Sequence, residues 1–555
     1  MAWCGGVAAL VVMAGAGVAT AQWSSDPSSP MVVAGGAGDQ AVPIFRPTID
    51  GGAWITYMDN GPGGGYKPFV QRLQSTGVAA FGTPIQLANR TNTATFVYDM
   101  EVDAAGNAII AFDDNSSGTT VATVHKVLPD GTLAWGATGL QMPLSTNALS
   151  PKVSSCPDGS YICCWQITSG TSAVLYFQRI NSDGTLGTAW QYSDTSDTGH
   201  YLAFSDIQPG GSGNEFIALW IRGHVYSATN SSKGLQIQKF GAGNTGLWNS
   251  GLPVDVAPYV RAPLTPTHSL QNGYFPTAVP DGNGGAVVGW YDIGTNRQFR
   301  FQHIQNDGTL RFGPDAFTAA TTPGELQFNG TVDYDRTNDA FVMAFERSTS
   351  TQSAFGLGAQ RVDASGTQMF GSAGVSILPT TGNHSAFIGA IAGPAQSMYV
   401  IWSQYQGASN PMEINATRLD SAGNPVWTPG IVSVTTTGTS KGRLNGFGVL
   451  GANRVVCGWN DGTSGANDVM AANINFDGTI GSPACPADLD GNGDINDGGN
   501  PDGGVDINDL LYFLAGFENG SPLVDLDNGS GTGTQDGGVD ISDLLFFLSH
   551  FEAGC

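Results

Sequence analysis

A short apolar run ending in an aromatic residue recurs eight times between residues 40 and 480. The copies read AWITY to Tyr57, AIIAF to Phe112, YICCW to Trp165, FIALW to Trp220, AVVGW to Trp290, FVMAF to Phe345, YVIW to Trp402 and VVCGW to Trp459. Runs of four to six apolar residues bounded by Gly, Asp and Asn read as buried strands, being too short for helices. Successive aromatics stand 55, 53, 55, 70, 55, 57 and 57 residues apart, and the long gap holds a Gly- and Pro-rich stretch from Leu247 to Tyr274.

About twenty residues after each aromatic comes a second strand, such as FVQRL, TVHKV, YFQRI, RFQHI, GAQRV or NATRL. It ends in a turn, usually D-G-T as at Asp130-Gly131-Thr132, Asp183-Gly184-Thr185, Asp307-Gly308-Thr309 and Asp477-Gly478-Thr479. Asp-Gly supplies the positive φ that a tight hairpin needs. Four residues beyond the turn Gly an aromatic often returns, as Phe81, Trp135, Phe312, Phe370 and Trp427. Strand, short turn, strand, longer loop, strand, D-G turn, strand describes a four-stranded blade. Eight such units predict an all-β, eight-bladed β-propeller over residues 22–480, with both faces of each blade buried by its neighbours. A seven-bladed ring, or two smaller β domains, are the alternative readings of the same strands.

Composition changes the picture at both ends of the chain. The 79 Gly and a charged fraction of 12% suit many tight turns and few surface helices. A net charge of −25 excludes a nucleic-acid partner, which would need clustered Lys and Arg. Residues 485–555 hold twelve Asp, two Glu and neither Lys nor Arg, so −14 of the −25 sits in this tail and −11 upstream. Val7 to Val18 is an apolar run before Ala19-Thr20-Ala21, which reads as a signal peptide over 1–21 despite lacking a basic start. No later stretch is long enough for a transmembrane helix, so a secreted or cell-surface protein is expected. A bridge between Cys156 and Cys163 is conceivable across their hairpin; the alternative is that Cys163, Cys164 and Cys457 are small buried strand residues. Cys485 and Cys555 bracket the acidic tail, where they could be bridged or Cys555 kept free for attachment.

The propeller offers little catalytic chemistry. Its D-G-T-x-x-W turns differ from a sialidase Asp box, S-x-D-x-G-x-x-W. Arg72, Arg179, Arg361 and Arg418 repeat at one strand position, which predicts a structural role such as pairing with the next blade. The histidines show no metal-ligand spacing. Acid pairs such as Asp113-Asp114 read as solvated turn residues, and the strand-end aromatics as core. A non-catalytic recognition role follows, with a glycoside hydrolase or glycan-binding propeller as the alternative and polysaccharide as its partner.

The tail carries the candidate site. One copy opens with Asp488 and Asp490 and closes with Asp506 and Asp509 before an apolar helix; the other opens with Asp525 and Asp527 and closes with Asp540 and Asp543. Spaced oxygen donors suit Ca2+, which takes six to eight. With Asp488 as position 1 of a twelve-position loop, Asp490 falls at 3, Asn492 at 5, Gly493 at 6 and Asp494 at 7, but position 12 is Gly499. Each copy therefore reads as one site interrupted by an insert, whose two ends share an ion; Asp536 leads out of the second insert. The alternative is that the insert itself supplies ligands. Ile507, Leu510, Leu511, Leu514 and Phe517, repeated as Ile541, Leu544, Leu545, Leu548 and Phe551, form the expected packing stripe between two helices.

The motifs C-P-A-D-L-D-G-N-G, the duplicated G-V-D-I-x-D-L-L-x-F-L and the terminal Gly554-Cys555 resemble a dockerin, and more narrowly the bacterial GC-type dockerin tails. That resemblance implies EF-hand-type calcium loops over residues 485–555, docking onto a cohesin-like protein and anchoring at the cell envelope. It further implies that Ile507-Asn508 and Ile541-Ser542 contact the cohesin. Dockerins often accompany polysaccharide-degrading domains, which motivates the glycoside hydrolase alternative.

Overall fold

Each apolar run forms the second strand of a four-stranded antiparallel sheet, and eight such sheets make an eight-bladed β-propeller. The structure is a computed structural model. It describes residues 22–553 except 62, 95–96, 170–171, 194–199, 228–229, 258–269, 271–273, 292–296, 383–384, 406–410, 450–453, 483–484, 491, 497–498, 500–504, 530 and 532–534. The expected signal segment and Cys555 lie outside the described residues. No helix among them is long and apolar enough to cross a membrane.

Blade 1 consists of Gln40–Pro47, Ala53–Asp59, Lys67–Leu73 and Ile85–Gln86, inner to outer. Blades 2 to 7 follow over 99–141, 149–192, 200–257, 278–318, 325–382 and 385–435. Blade 8 takes three strands from the end of the propeller, Lys441–Val449, Arg454–Thr463 and Ala466–Ile474, and its outer strand, Met31–Ala34, from the beginning. The strand-end aromatics Tyr57, Phe112, Trp165, Trp220, Trp290, Phe345, Trp402 and Trp459 are all buried, as expected of core.

The recurring turn and the recurring aromatic prove to be two halves of one joint. The aromatic of one blade lies against the turn glycine of the next: Trp23 on Gly77, Phe81 on Gly131, Trp135 on Gly184, Trp248 on Gly308, Phe312 on Gly366, Phe370 on Gly423 and Trp427 on Gly478. Trp23, Trp248 and Trp427 also donate their indole N–H to the turn, reaching Ser75 O (2.7 Å), Asn306 O (2.7 Å) and Phe476 O (3.0 Å). A glutamine on the third strand clamps this plug within its own blade. Gln71, Gln238, Gln302 and Gln360 each accept from the backbone N–H of Phe81, Trp248, Phe312 and Phe370, at 3.3, 3.1, 3.0 and 3.0 Å.

Side chains also tie inner strand to inner strand. Asp99 Oδ2 accepts from Val153 N (3.2 Å), Asp206 Oδ2 from Ala278 N (2.8 Å), Thr331 Oγ1 from Ala390 N (2.8 Å) and Asn445 Oδ1 from Phe45 N (3.0 Å). Every one of these bonds links an even blade to the following odd blade, and the last closes the ring.

Two readings of the sequence need correction. Asp113 and Asp114 are not solvated turn residues; both sit at the end of a strand in blade 2 and are buried. Desolvation pushes the Asp113 carboxyl up to about 6, although Arg90 lies 3.9 Å away and opposes the shift. Cys156 and Cys163 form no bridge: with Cys164 and Cys457 they are free and buried. The repeated arginines divide. Arg72 pairs with Asp50 and Arg361 with Asp335 inside their own blades. Arg179 reaches Asn214 O (2.7 Å) in blade 4, and Arg418 reaches Phe476 O (3.3 Å) in blade 8.

Candidate metal centre

The tail contains two helices, α1 (Ile507–Asn519) and α2 (Ile541–Ala553). Asp506 caps α1, its Oδ1 accepting from Asn508 N at 2.7 Å, and Asp540 caps α2 by accepting from Ser542 N at 2.7 Å. One turn later, Asp509 and Asp543 take identical roles. Asp509 Oδ2 accepts from Asp506 N (2.8 Å) to complete a capping box, while its Oδ1 accepts from Leu489 N (2.6 Å) and Asp490 N (2.9 Å). Asp543 Oδ2 accepts from Asp540 N (2.8 Å), and its Oδ1 from Leu526 N (2.5 Å) and Asp527 N (2.8 Å). In both copies the entering D-x-D segment is thus held against the start of the helix.

The remaining acids organise the loops. Asp490 Oδ2 gathers the N–H groups of Asn492 (3.1 Å), Gly493 and Asp494 (3.0 Å), a tight turn that needs Gly493 at φ 77°. Asn492 Oδ1 accepts from Asp494 N at 2.7 Å. Hydrogen bonds from Asn496 hold the exposed Asp494 carboxyl below its ordinary range. In the second copy Asp525 accepts from Asp536 N (3.3 Å) and Gly537 N (2.8 Å), Asp527 from Gly531 N (2.8 Å), and Asp536 from Gly538 N (2.9 Å).

Asp490, Asp509, Asp525, Asp527 and Asp543 are all buried, yet the tail contains no Lys or Arg. Ionised carboxylates removed from water without a counter-charge are costly. Their all-oxygen chemistry suits a hard cation. Among the described residues, however, no three His, Cys, Asp or Glu side chains converge as a ready-made metal cluster. Asp509 and Asp543 each accept two backbone N–H bonds on Oδ1 and one on Oδ2, so each Oδ2 keeps a lone pair.

The helices pack differently from the expected stripe. Tyr512 and Phe513 of α1 and Phe547 of α2 form the buried core with Ala487 and Val524, and the Phe513 and Phe547 rings stack at 4.2 Å. Gly516 admits Val524, whose Cγ1 would lie 2.6 Å from an added Cβ. Leu510, Phe517, Leu544 and Phe551 join this core from its edge, whereas Ile507, Leu511, Leu514, Ile541, Leu545 and Leu548 are solvent-exposed. Cys485 is disulfide-bonded; Cys555, one partner considered for it, is not among the described residues.

No family model matches this chain, and no curated protein does. Solved structures align with this chain at low identity. The polysaccharide lyase Uly1 is 8% identical, with 80% of this chain and 90% of that one covered at a TM-score of 0.42. A eukaryotic initiation factor is 10% identical over 82% and 89% at 0.37. A Penicillium chrysogenum α-L-arabinanase complexed with arabinobiose is 11% identical over 62% and 96% at 0.35. Likeness at this level carries no conclusion about this chain.

Proposed function

We propose that residues 485–555 are a calcium-dependent docking module, of the dockerin kind their motifs resemble, tethering a secreted, non-catalytic propeller to a cohesin-like partner at the cell envelope. The observation that carries this reading is the pair of matched sites of buried carboxylate in a tail that has no Lys or Arg of its own. Calcium would supply the missing positive charge and draw oxygen ligands around it. Asp488, Asp490, Asn492, Asp494 and Asp509 would hold one ion, and Asp525, Asp527, Asp536 and Asp543 the other. Asp506 would join the first set and Asp540 the second, each also capping its helix and so orienting the carboxylate one turn on. The exposed triplets Ile507, Leu511, Leu514 and Ile541, Leu545, Leu548 support a protein partner, because each leaves an apolar stripe in water at matched positions. Recognition rather than catalysis is supported by the commitment of the repeated arginines and strand-end aromatics to blade packing.

Calorimetric calcium titration of the full mature chain tests the tether. Saturable binding below millimolar calcium is expected, together with calcium-dependent protection of the segment after residue 480 from proteolysis. Asp509→Ala and Asp543→Ala should each remove about half of the binding heat while the melting of the propeller stays put. Absence of binding at millimolar calcium would overturn the reading.

A further inference from the structure

Seven of the eight blade junctions carry the aromatic plug; the junction between blades 3 and 4 does not. Four residues past Gly184, where a plug would stand, blade 3 has the exposed Thr188, and the receiving turn of blade 4 has Asn244 at φ 57° in place of glycine. The clamp registers the loss. Gln178 still reaches Gly187 O at 2.9 Å, but its buried Oε1 has no hydrogen-bond partner. At this same junction lies a groove of about 590 Å³ between the outer strand of blade 3 and the turn of blade 4. That volume falls within the roughly 300–1,000 Å³ of small-molecule sites.

We propose that this unplugged junction binds a neutral saccharide. Trp190, stacked on Phe177 at 5.2 Å, and Tyr192, packed on Trp220, give one wall two aromatic rings; the other wall is built from Asn244, Thr245 and Leu247. Asn244 Oδ1 is held by Arg179 Nε at 2.9 Å, which leaves the amide NH2 as the donor for a ligand. Gln191 adds a second, exposed amide. The one charged group against the groove is the Arg179 guanidinium, 5.6 Å from the Trp190 ring centroid, and its Nε, Nη1 and Nη2 are taken by Asn244, Asn214 O and Gly241 O. An ionic ligand would lose its hydration there without gaining a counter-charge. A neutral sugar offers what these walls accept: an apolar ring face for the aromatics and hydroxyls for the amides. The site is independent of the tail and needs no metal.

Full-length protein should be titrated in EDTA with neutral gluco-, manno-, galacto- and arabino-oligosaccharides of four to six units, and with oligogalacturonate as the acidic comparison. At least one neutral series should bind. Leu247→Glu places charge in the groove and Thr245→Trp fills it; each should weaken binding by about tenfold or more. Val426→Glu, at the matching position of plugged blade 7, should leave binding unchanged, and melting temperatures confirm that each variant is folded. Failure of every neutral oligosaccharide to bind would overturn the proposal. So would binding that survives both groove variants, or equal binding of oligogalacturonate. Because calcium is chelated throughout, failure of the tether leaves this outcome untouched.

Discussion

In blade 2 a histidine stands where blades 1, 3, 4, 5 and 6 carry the clamping glutamine. His125 is buried, stacked on Phe112 at 5.9 Å, and neither of its ring nitrogens has a hydrogen-bond partner. Burial pushes the imidazole down to about 4. A depressed pKa contributes stability that is present above the unfolded value of 6.5 and lost as pH falls through 4. Restoring the clamp with His125→Gln should therefore stabilise the propeller by about 1 kcal/mol at neutral pH, as a buried unsatisfied group gains partners. Its margin over the wild type should widen between pH 6.5 and 4, read by chemical unfolding across that range; a margin independent of pH would refute the titration argument. Residue types were a partial guide here. The Gln-Arg pair was visible in FVQRL and YFQRI, but a side-chain bond to the backbone ten residues on leaves no mark in composition. Asp113 and Asp114 misled because paired acids are common in loops. Their burial depends on Arg90, which arrives from a distant loop.

At the level of elements, the plug is the joint that sets blade against blade. A Cβ at Gly184 would lie 2.6 Å from Trp135 Cδ1, and the residue holds φ at 88°. Gly184→Ala combines overpacking with left-handed strain, so the propeller should lose about 2 kcal/mol or more in denaturant unfolding. A loss within a few tenths would mean that the joint yields freely. Both halves of this joint were legible as repeats, yet nothing in the spacing said that they belong to neighbouring blades. Strands and turns were readable because each apolar run is short and bounded by Gly or Asp. The helices were harder. Ile507 to Phe517 has eight apolar residues, more than one face can bury, so periodicity allowed two stripes. Tyr512 and Phe513 took the core because stacked rings remove the most surface from water. The acidic pairs were correctly placed at the helix starts, while their use as backbone acceptors was not foreseeable from spacing.

The whole ring is held shut by its first residues. Trp23 plugs the last junction and Met31–Ala34 completes blade 8. Deleting residues 22–34 should cost about 3–6 kcal/mol from the exposure of Trp23 and Met31 alone. A lower melting temperature and early cleavage within blade 8 should follow; an unchanged transition would show that Asn445 on Phe45 suffices as a closure. The number of blades was countable from sequence, because equal spacing of like strands admits few other folds. The closure was hidden, since its partners are the most distant in the chain. Met31 pairs with Ala471, 440 residues later. At synthesis rates of roughly 5–20 residues per second, that strand waits about 20–90 s for its mate. For that whole interval the nascent chain carries an orphaned edge beside a growing row of finished blades. The first strand of the ring is thus the last to find its partner.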